Sequence, residues 1–293
     1  MNLGVAFLTL AMLLTPAVDG VAKTLSVDQT PMTIAFVRYF AAGLVALAVA
    51  GATRRRIVVP KADRAGQLLR TALIMAAMTS LIAALGMVPI AQAVGGFLIA
   101  PIVSGLLGIL VWREPPTVTR LAGSAISCLG AAVLMRPEAG LDPGCLFALL
   151  GGALLGAYLA ATRGARSQTD ALSTLAVQSL LGSALLAPFA FAGGLPTVGP
   201  ELLLGALALG SISAVCHFLT VAAYQRADAS VLAPFLYFNL VTAMAVGFFW
   251  FGETLTWTSI AGLLSIALGG LVALTSAERF KLPALASRRI GIA

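Results

Sequence analysis

The sequence predicts an all-α polytopic membrane protein: ten transmembrane helices arranged as two inverted five-helix repeats, with both termini cytoplasmic. Three observations carry this. The first is composition. Of 293 residues, 60% are hydrophobic and 10% charged, and mean hydropathy is +1.01. Soluble domains are about half apolar and one quarter charged.

The second observation is a set of ten apolar runs. About 20 apolar residues are needed to cross roughly 30 Å of hydrocarbon as a helix. The runs are Leu3 to Ala22, Met32 to Ala50, Gly66 to Gly86, Ile90 to Val111, Val118 to Met135, Gly144 to Thr162, Ala171 to Ala192, Glu201 to Ala223, Ser230 to Phe251 and Trp257 to Ser276. Short gaps with turn chemistry separate them, such as Asp28-Gln29-Thr30-Pro31, Arg136-Pro137, Asp142-Pro143 and Gly199-Pro200. Leu3 to Leu14 has the length of a signal-peptide core. It lacks a basic start, Pro16 and Asp19 follow it, and nine further spans come after, so it is predicted to be a mature helix.

The third observation is duplication. Val88, Gln92, Ala100 and Pro101 align with Val221, Gln225, Ala233 and Pro234 at an offset of 133 residues. At an offset of 139, Glu114, Thr117, Thr119, Ala122, Gly123, Leu129, Gly130 and Val133 meet Glu253, Thr256, Thr258, Ala261, Gly262, Leu268, Gly269 and Val272. The repeats are bounded as 1–137 and 138–276, with a basic tail at 277–293.

Orientation follows from Lys and Arg. With the N-terminus inside, fifteen basic residues lie in inner loops and tail, whereas the outer loops hold only Lys23 and Arg136. Five spans per half then make the repeats antiparallel, the architecture of transporters whose substrate path runs between the halves. The net charge of +7 is explained by this topology, and no nucleic-acid partner is expected because the basic residues do not gather on one solvated face. The partners expected are the lipid bilayer and a small-molecule substrate. No cofactor or metal is expected, since there is one histidine and no cysteine pair at ligand spacing. Cys128, Cys145 and Cys216 read as small buried side chains.

An apolar helix with Ala-Pro in its first half, a terminal Glu, and Gly at nine and sixteen residues beyond that Glu occurs twice. This pattern, with Pro31 and Arg38 at the second span, resembles the EamA-type branch of the drug/metabolite transporter superfamily. The resemblance implies a metabolite transporter of the bacterial inner membrane, similar to broad amino-acid exporters that include the aromatic-amino-acid type. Small multidrug members rely on a first-helix Glu; here the only acidic residue in that span is Asp19, displaced outward.

Several residues are candidates for the path. Asp19 and Arg38 sit at similar depth near the outer ends of spans one and two; a lone buried charge is costly, so either they form a structural ion pair or they serve as a gate or substrate contact. Ser213, His217, Thr220 and Tyr224 lie at i, i+4, i+7 and i+11, on one face of span eight. His217 reads either as an interhelical hydrogen-bonding residue or as a path residue. Pro101 and Pro234 each remove a backbone donor and release a carbonyl. Gln92 lies near the outer end of span four, while Tyr237 and Asn239 follow Pro234 in span nine. Thr15-Pro16 predicts a break in span one; Tyr158 and Thr162 add polarity in span six; Met75, Met78 and Ile82 form a stripe in span three, as core or as an adaptable cavity wall. Gly123, Ser127 and Gly130, with Gly262, Ile266 and Gly269, predict close packing of spans five and ten. Glu114 and Glu253 read as turn residues away from the centre of the path. The chain is expected to act as a monomer, with homodimerisation through the glycine faces the alternative.

No nucleophile motif of the G-x-S-x-G or H-E-x-x-H type is present, so an intramembrane enzyme is disfavoured. A non-transporting sensor would need an attached soluble domain, which the sequence does not show. The expected activity is export of small metabolites, most of all amino acids of broad type, by alternating access.

Overall fold

The computed structural model describes residues 3–58, 64–112, 118–135, 142–162, 170–192, 194, 199–224, 226, 233–254 and 256–279. Its helices are α1 (Leu3–Leu25), α2 (Pro31–Ala52), α3 (Arg64–Leu85), α4 (Ile90–Phe97), α5 (Ala100–Trp112), α6 (Val118–Met135), α7 (Pro143–Thr162), α8 (Ala171–Ala190), α9 (Pro200–Tyr224), a 3₁₀ turn (Ala233–Tyr237) leading into α10 (Phe238–Phe251), and α11 (Trp257–Arg279). Among the described residues seven helices are long and apolar enough to cross a membrane, with Ile90–Val111 counted as one; shorter apolar helices occupy Leu121–Leu134, Phe235–Phe251 and Trp257–Val272. Together they fall on the ten predicted runs. Glu114, Gln225, Ser230 and the tail beyond Arg279 lie outside the described residues.

Local chemistry fixes the helix starts. Thr30 caps α2, its Oγ1 accepting the Thr33 N–H at 3.2 Å ahead of Pro31. Asp170 does the same for α8, accepting the Ser173 N–H at 2.9 Å. The cap of α10 is different in kind: Gly252 takes φ 64°, a left-handed conformation that lets the chain turn sharply into Glu253.

Helix neighbours come in exchange-related sets. α1 packs on α9 and α10, while α7 packs on α3 and on α4–α5; α2 pairs with α8, and α6 with α11. Swapping first-half helices for their second-half counterparts reproduces this set, as a two-fold axis through the bundle requires. Each helix of one half therefore leans on the other half. Lipid gives no hydrophobic drive for such contacts, so close approach supplies it. At the α6–α11 seam a Cβ added to Gly130 would stand 2.7 Å from the Gly262 carbonyl oxygen, and one on Gly262 would stand 2.9 Å from the Gly130 oxygen. Ser127 Oγ also donates to the Ile266 carbonyl at 3.0 Å. This is the packing the glycine spacing predicts.

Two expectations are corrected. The Thr15-Pro16 break does not form: α1 runs unbroken through Pro16. Proline at 16 deprives the Met12 carbonyl of its helical donor, and the Thr242 hydroxyl of α10 stands 3.1 Å from that oxygen, sharing its one proton between it and the Phe238 and Asn239 carbonyls of its own helix. What the sequence suggested as a kink is a docking point between halves. The fourth span, by contrast, does break, at Leu98–Ile99 just before Pro101. Finally, Cys128 is exposed on the flank of α6, unlike buried Cys145 and Cys216.

Candidate functional site

Two polar regions stand out. One lies where the end of α1 meets the α3–α4 and α10–α11 turns, the outer end in the topology that Lys and Arg predict. Lys23 Nζ donates to the carbonyls of Leu85 at 3.0 Å and Val88 at 2.7 Å. It also stands 3.0 Å from Glu253 Oε1, a charge contact outside hydrogen-bonding angles. The other carboxylate oxygen, Oε2, accepts the Ile90 N–H at 2.9 Å. Phe251 places its ring 5.7 Å from the ammonium. The two side chains are only 19% and 12% exposed, so the pair is little screened. Gln92 adds a second tie, donating from Nε2 to Ser259 Oγ at 3.3 Å. Both ties join first-half residues to second-half residues.

The second region lies between α1, α2 and α9. The charge of Arg38 acts on Asp19, Tyr39 and His217, and Cys216 meets Thr15 while also feeling Arg38 and Asp19. Six side chains from three helices thus converge. Asp19 is 1% exposed, yet both of its carboxylate oxygens, Arg38 Nη1 and His217 Nε2 lack hydrogen-bond partners in the protein. The structural ion pair that the sequence allowed is not formed: among the described residues the one salt bridge is Lys23–Glu253. Asp19 and Arg38 are coupled through space but not bonded. α1 continues to Leu25 rather than Ala22, so Asp19 lies deeper than its sequence position implied.

Other candidates are distributed around this centre. Ser213, one turn from His217 on α9, is buried with its Oγ unpartnered. Thr220 returns its hydroxyl to the Cys216 carbonyl at 2.8 Å, and Thr15 likewise bonds the Ala11 carbonyl at 2.8 Å. The side chains of Tyr224 and Pro234 lie outside the described residues. Tyr237 rests against Gly270 of α11. Asn239 Oδ1 is buried without a partner. Met75 and Met78 pack on the main hydrophobic cluster. Tyr158 does not join the α1–α2–α9 group; its oxygen accepts from Gln178 Nε2 at 3.3 Å on the α7–α8 side. Among the described residues no three His, Cys, Asp or Glu side chains gather as a metal site.

Sequence reasoning missed Tyr39, Cys216, Gln178 and the Lys23–Glu253 pair. Tyr39 carried a usable signal, since it follows Arg38 directly. Lys23 and Glu253 are 230 positions apart, and only their shared outer placement hinted at contact.

The family model of the EamA-like transporter family matches residues 2–136 and again 142–275. No curated protein matches the sequence. A solved crystal structure is similar over 94% of this chain and 98% of its own length, with a TM-score of 0.67 and 19% identity; at that identity the likeness carries the fold alone.

Proposed function

The chain belongs to the EamA-like transporter family, and from that premise we propose that it is a secondary transporter exporting amino acids of broad type by alternating access between its inverted halves. The bacterial inner membrane is the proposed location, with both termini cytoplasmic, as the distribution of Lys and Arg supports.

One observation carries the choice of cargo: Asp19 is buried and Arg38 partly so, and they are opposite in sign and within electrostatic reach, yet not bonded to each other. A buried charge without a partner is costly, and bringing in a group of opposite sign recovers that cost. A cation alone would leave Arg38 unmatched, and an anion alone would leave Asp19 unmatched. A zwitterion matches both, its carboxylate on the guanidinium and its ammonium on the carboxylate, each through charge-assisted hydrogen bonds. His217 and Ser213 supply further polar contacts along the α9 face. A polyanionic cargo such as a nucleotide sugar would need more cations than this cluster holds.

The test is counterflow of labelled threonine, methionine, phenylalanine, glutamate and lysine into liposomes containing the purified protein. Uptake of several neutral amino acids is the expected result. Absence of counterflow with all five would remove amino acids as cargo and turn attention to nucleosides, sugars or drugs.

A further inference from the structure

Resting on that reading of the cargo, we infer that the inverted repeat builds a second polar station from Arg70, Tyr158 and Gln178, which receives the same zwitterion at the inner side of the bundle before it reaches Asp19 and Arg38. The repeat itself points to the position. α8 starts 140 residues after α2 (171 against 31), and the two family matches, 2–136 and 142–275, also start 140 residues apart. Gln178 therefore occupies the place of Arg38, and Tyr158 lies one residue from the place of Asp19. The third contributor comes from the corresponding helix, though not from the corresponding position: α3, which carries Arg70, packs on α7 and α8 as α9 packs on α1 and α2.

Two of these residues meet in the structure, and the third lies within electrostatic reach of them. Gln178 Nε2 donates to the Tyr158 oxygen at 3.3 Å, and the charge of Arg70 acts on Tyr158. Gln178 is 5% exposed and Arg70 9%, and the Gln178 Oε1 acceptor has no partner in the protein. Arg70 also donates to Gln67 Oε1 at 3.2 Å, which steadies its guanidinium. The chemistry is that of the outer station in a milder form. Arg70 provides the cation for a carboxylate, while neutral oxygens of Gln178 and Tyr158 replace Asp19 as acceptors for an ammonium.

The spacing suits transfer from one station to the other. Tyr39 of α2 lies against Gly182 of α8, and Leu180 of α8 against Gly43 of α2, so the two helices run antiparallel and Gln178 lies roughly six residues further inward than Arg38, or about 9 Å at 1.5 Å per residue. Tyr39 stands between, within electrostatic reach of both Arg38 and Tyr158.

The experiment measures phenylalanine KM separately at the two faces, using right-side-out and inverted vesicles, for wild type, Gln178→Leu, Tyr158→Phe and Asp19→Asn, with thermal unfolding of each purified variant as a check on folding. Loss of one hydrogen bond to a charged group of the ligand corresponds to roughly 10-fold or more. Gln178→Leu and Tyr158→Phe are expected to raise KM by about that factor at the face where α2 ends and α8 begins, and by less than about twofold at the opposite face. Asp19→Asn is expected to show the reverse bias. Equal changes at both faces, or none, with wild-type transport intact would overturn the inner station while leaving the cargo reading in place. Absence of wild-type phenylalanine transport would overturn both. Should Gln178→Leu fail to fold, Tyr158→Phe alone decides, since it removes one oxygen from a partly exposed side chain.

Discussion

The Lys23–Glu253 region and the Asp19–Arg38 region both hold opposite charges that come from different elements and are shielded from water in whole or in part, and they differ in the partners those charges have. At the outer end the ammonium has two carbonyls, a carboxylate and an aromatic ring around it, and the carboxylate's second oxygen takes a backbone N–H. Between α1, α2 and α9 the carboxylate has no protein donor on either oxygen. Charges that the protein itself matches hold elements together. Charges left coupled but unmatched are available to a ligand. Under the proposed function the same residue chemistry serves as a fastener in one place and a receptor in the other, and the distinction lies in partners, not in residue type.

The difference can be broken most strongly at the centre. Arg38→Gln and Asp19→Asn should each lower amino-acid counterflow by about 10- to 100-fold, the loss of one charge-assisted hydrogen bond of roughly 1.5–3 kcal/mol. Thermal stability of the purified variants should stay level or rise, because a neutral amide is cheaper to bury than an unmatched charge. A marked fall in stability would show that Asp19 and Arg38 are structural after all.

At the outer end the expected pattern is inverted. Lys23→Met leaves the largely buried Glu253 carboxylate without its cation and should lower thermal stability, by roughly 1–3 kcal/mol once partial exposure is discounted. Because the clamp ties α1 and the α3–α4 turn to the α10–α11 turn, its loss should also open this end. A cysteine placed at Ser26, whose hydroxyl returns to the Lys23 carbonyl at 2.7 Å, should react several-fold faster with a membrane-impermeant maleimide. An unchanged labelling rate would mean that Gln92–Ser259 and the packing alone keep the end closed.

The smallest effect expected belongs to a charge that is matched and largely exposed. Hydrogen bonding from the Ser173 hydroxyl, aided by its backbone N–H, holds the Asp170 carboxyl below the usual carboxylate value. A lowered carboxylate contributes stability that is full at neutral pH and is lost as pH falls below that ordinary value. Asp170→Ala should therefore cost about 1 kcal/mol near pH 7 as a lost helix cap, with the difference from wild type shrinking in acid. Thermal unfolding across pH 3–7 checks both size and sign.

Much of the fold was legible because the bilayer imposes a simple rule: ten apolar runs of sufficient length, separated by turn residues, have few other ways to satisfy their backbone. The Gly130 and Gly262 spacing likewise announced the α6–α11 seam, since few other arrangements use small residues at that interval. Proline was less readable. Pro16 and Pro101 both lack an N–H, but Thr242 compensates the first from another helix whereas the fourth span breaks before the second; which outcome follows depends on a neighbour the local sequence does not name. The candidate site was half legible. Equal depth brought Asp19 and Arg38 together on paper, but their failure to bond, the arrival of Tyr39 and Cys216, and the separate grouping of Tyr158 with Gln178 depend on how α2 crosses α8 and α9, and helix crossings are set by contacts far apart in sequence.

The central claim is that one cation and one anion read the two ends of a zwitterion. The direct measurement is competition against labelled phenylalanine counterflow by phenylalanine, by phenethylamine, which lacks the carboxylate, and by hydrocinnamate, which lacks the ammonium. Wild type should prefer phenylalanine by at least about 10-fold over either analogue. Arg38→Gln should erase the preference over phenethylamine, and Asp19→Asn the preference over hydrocinnamate. Equal competition by all three in wild type, or preferences that do not follow the residue removed, would contradict the account.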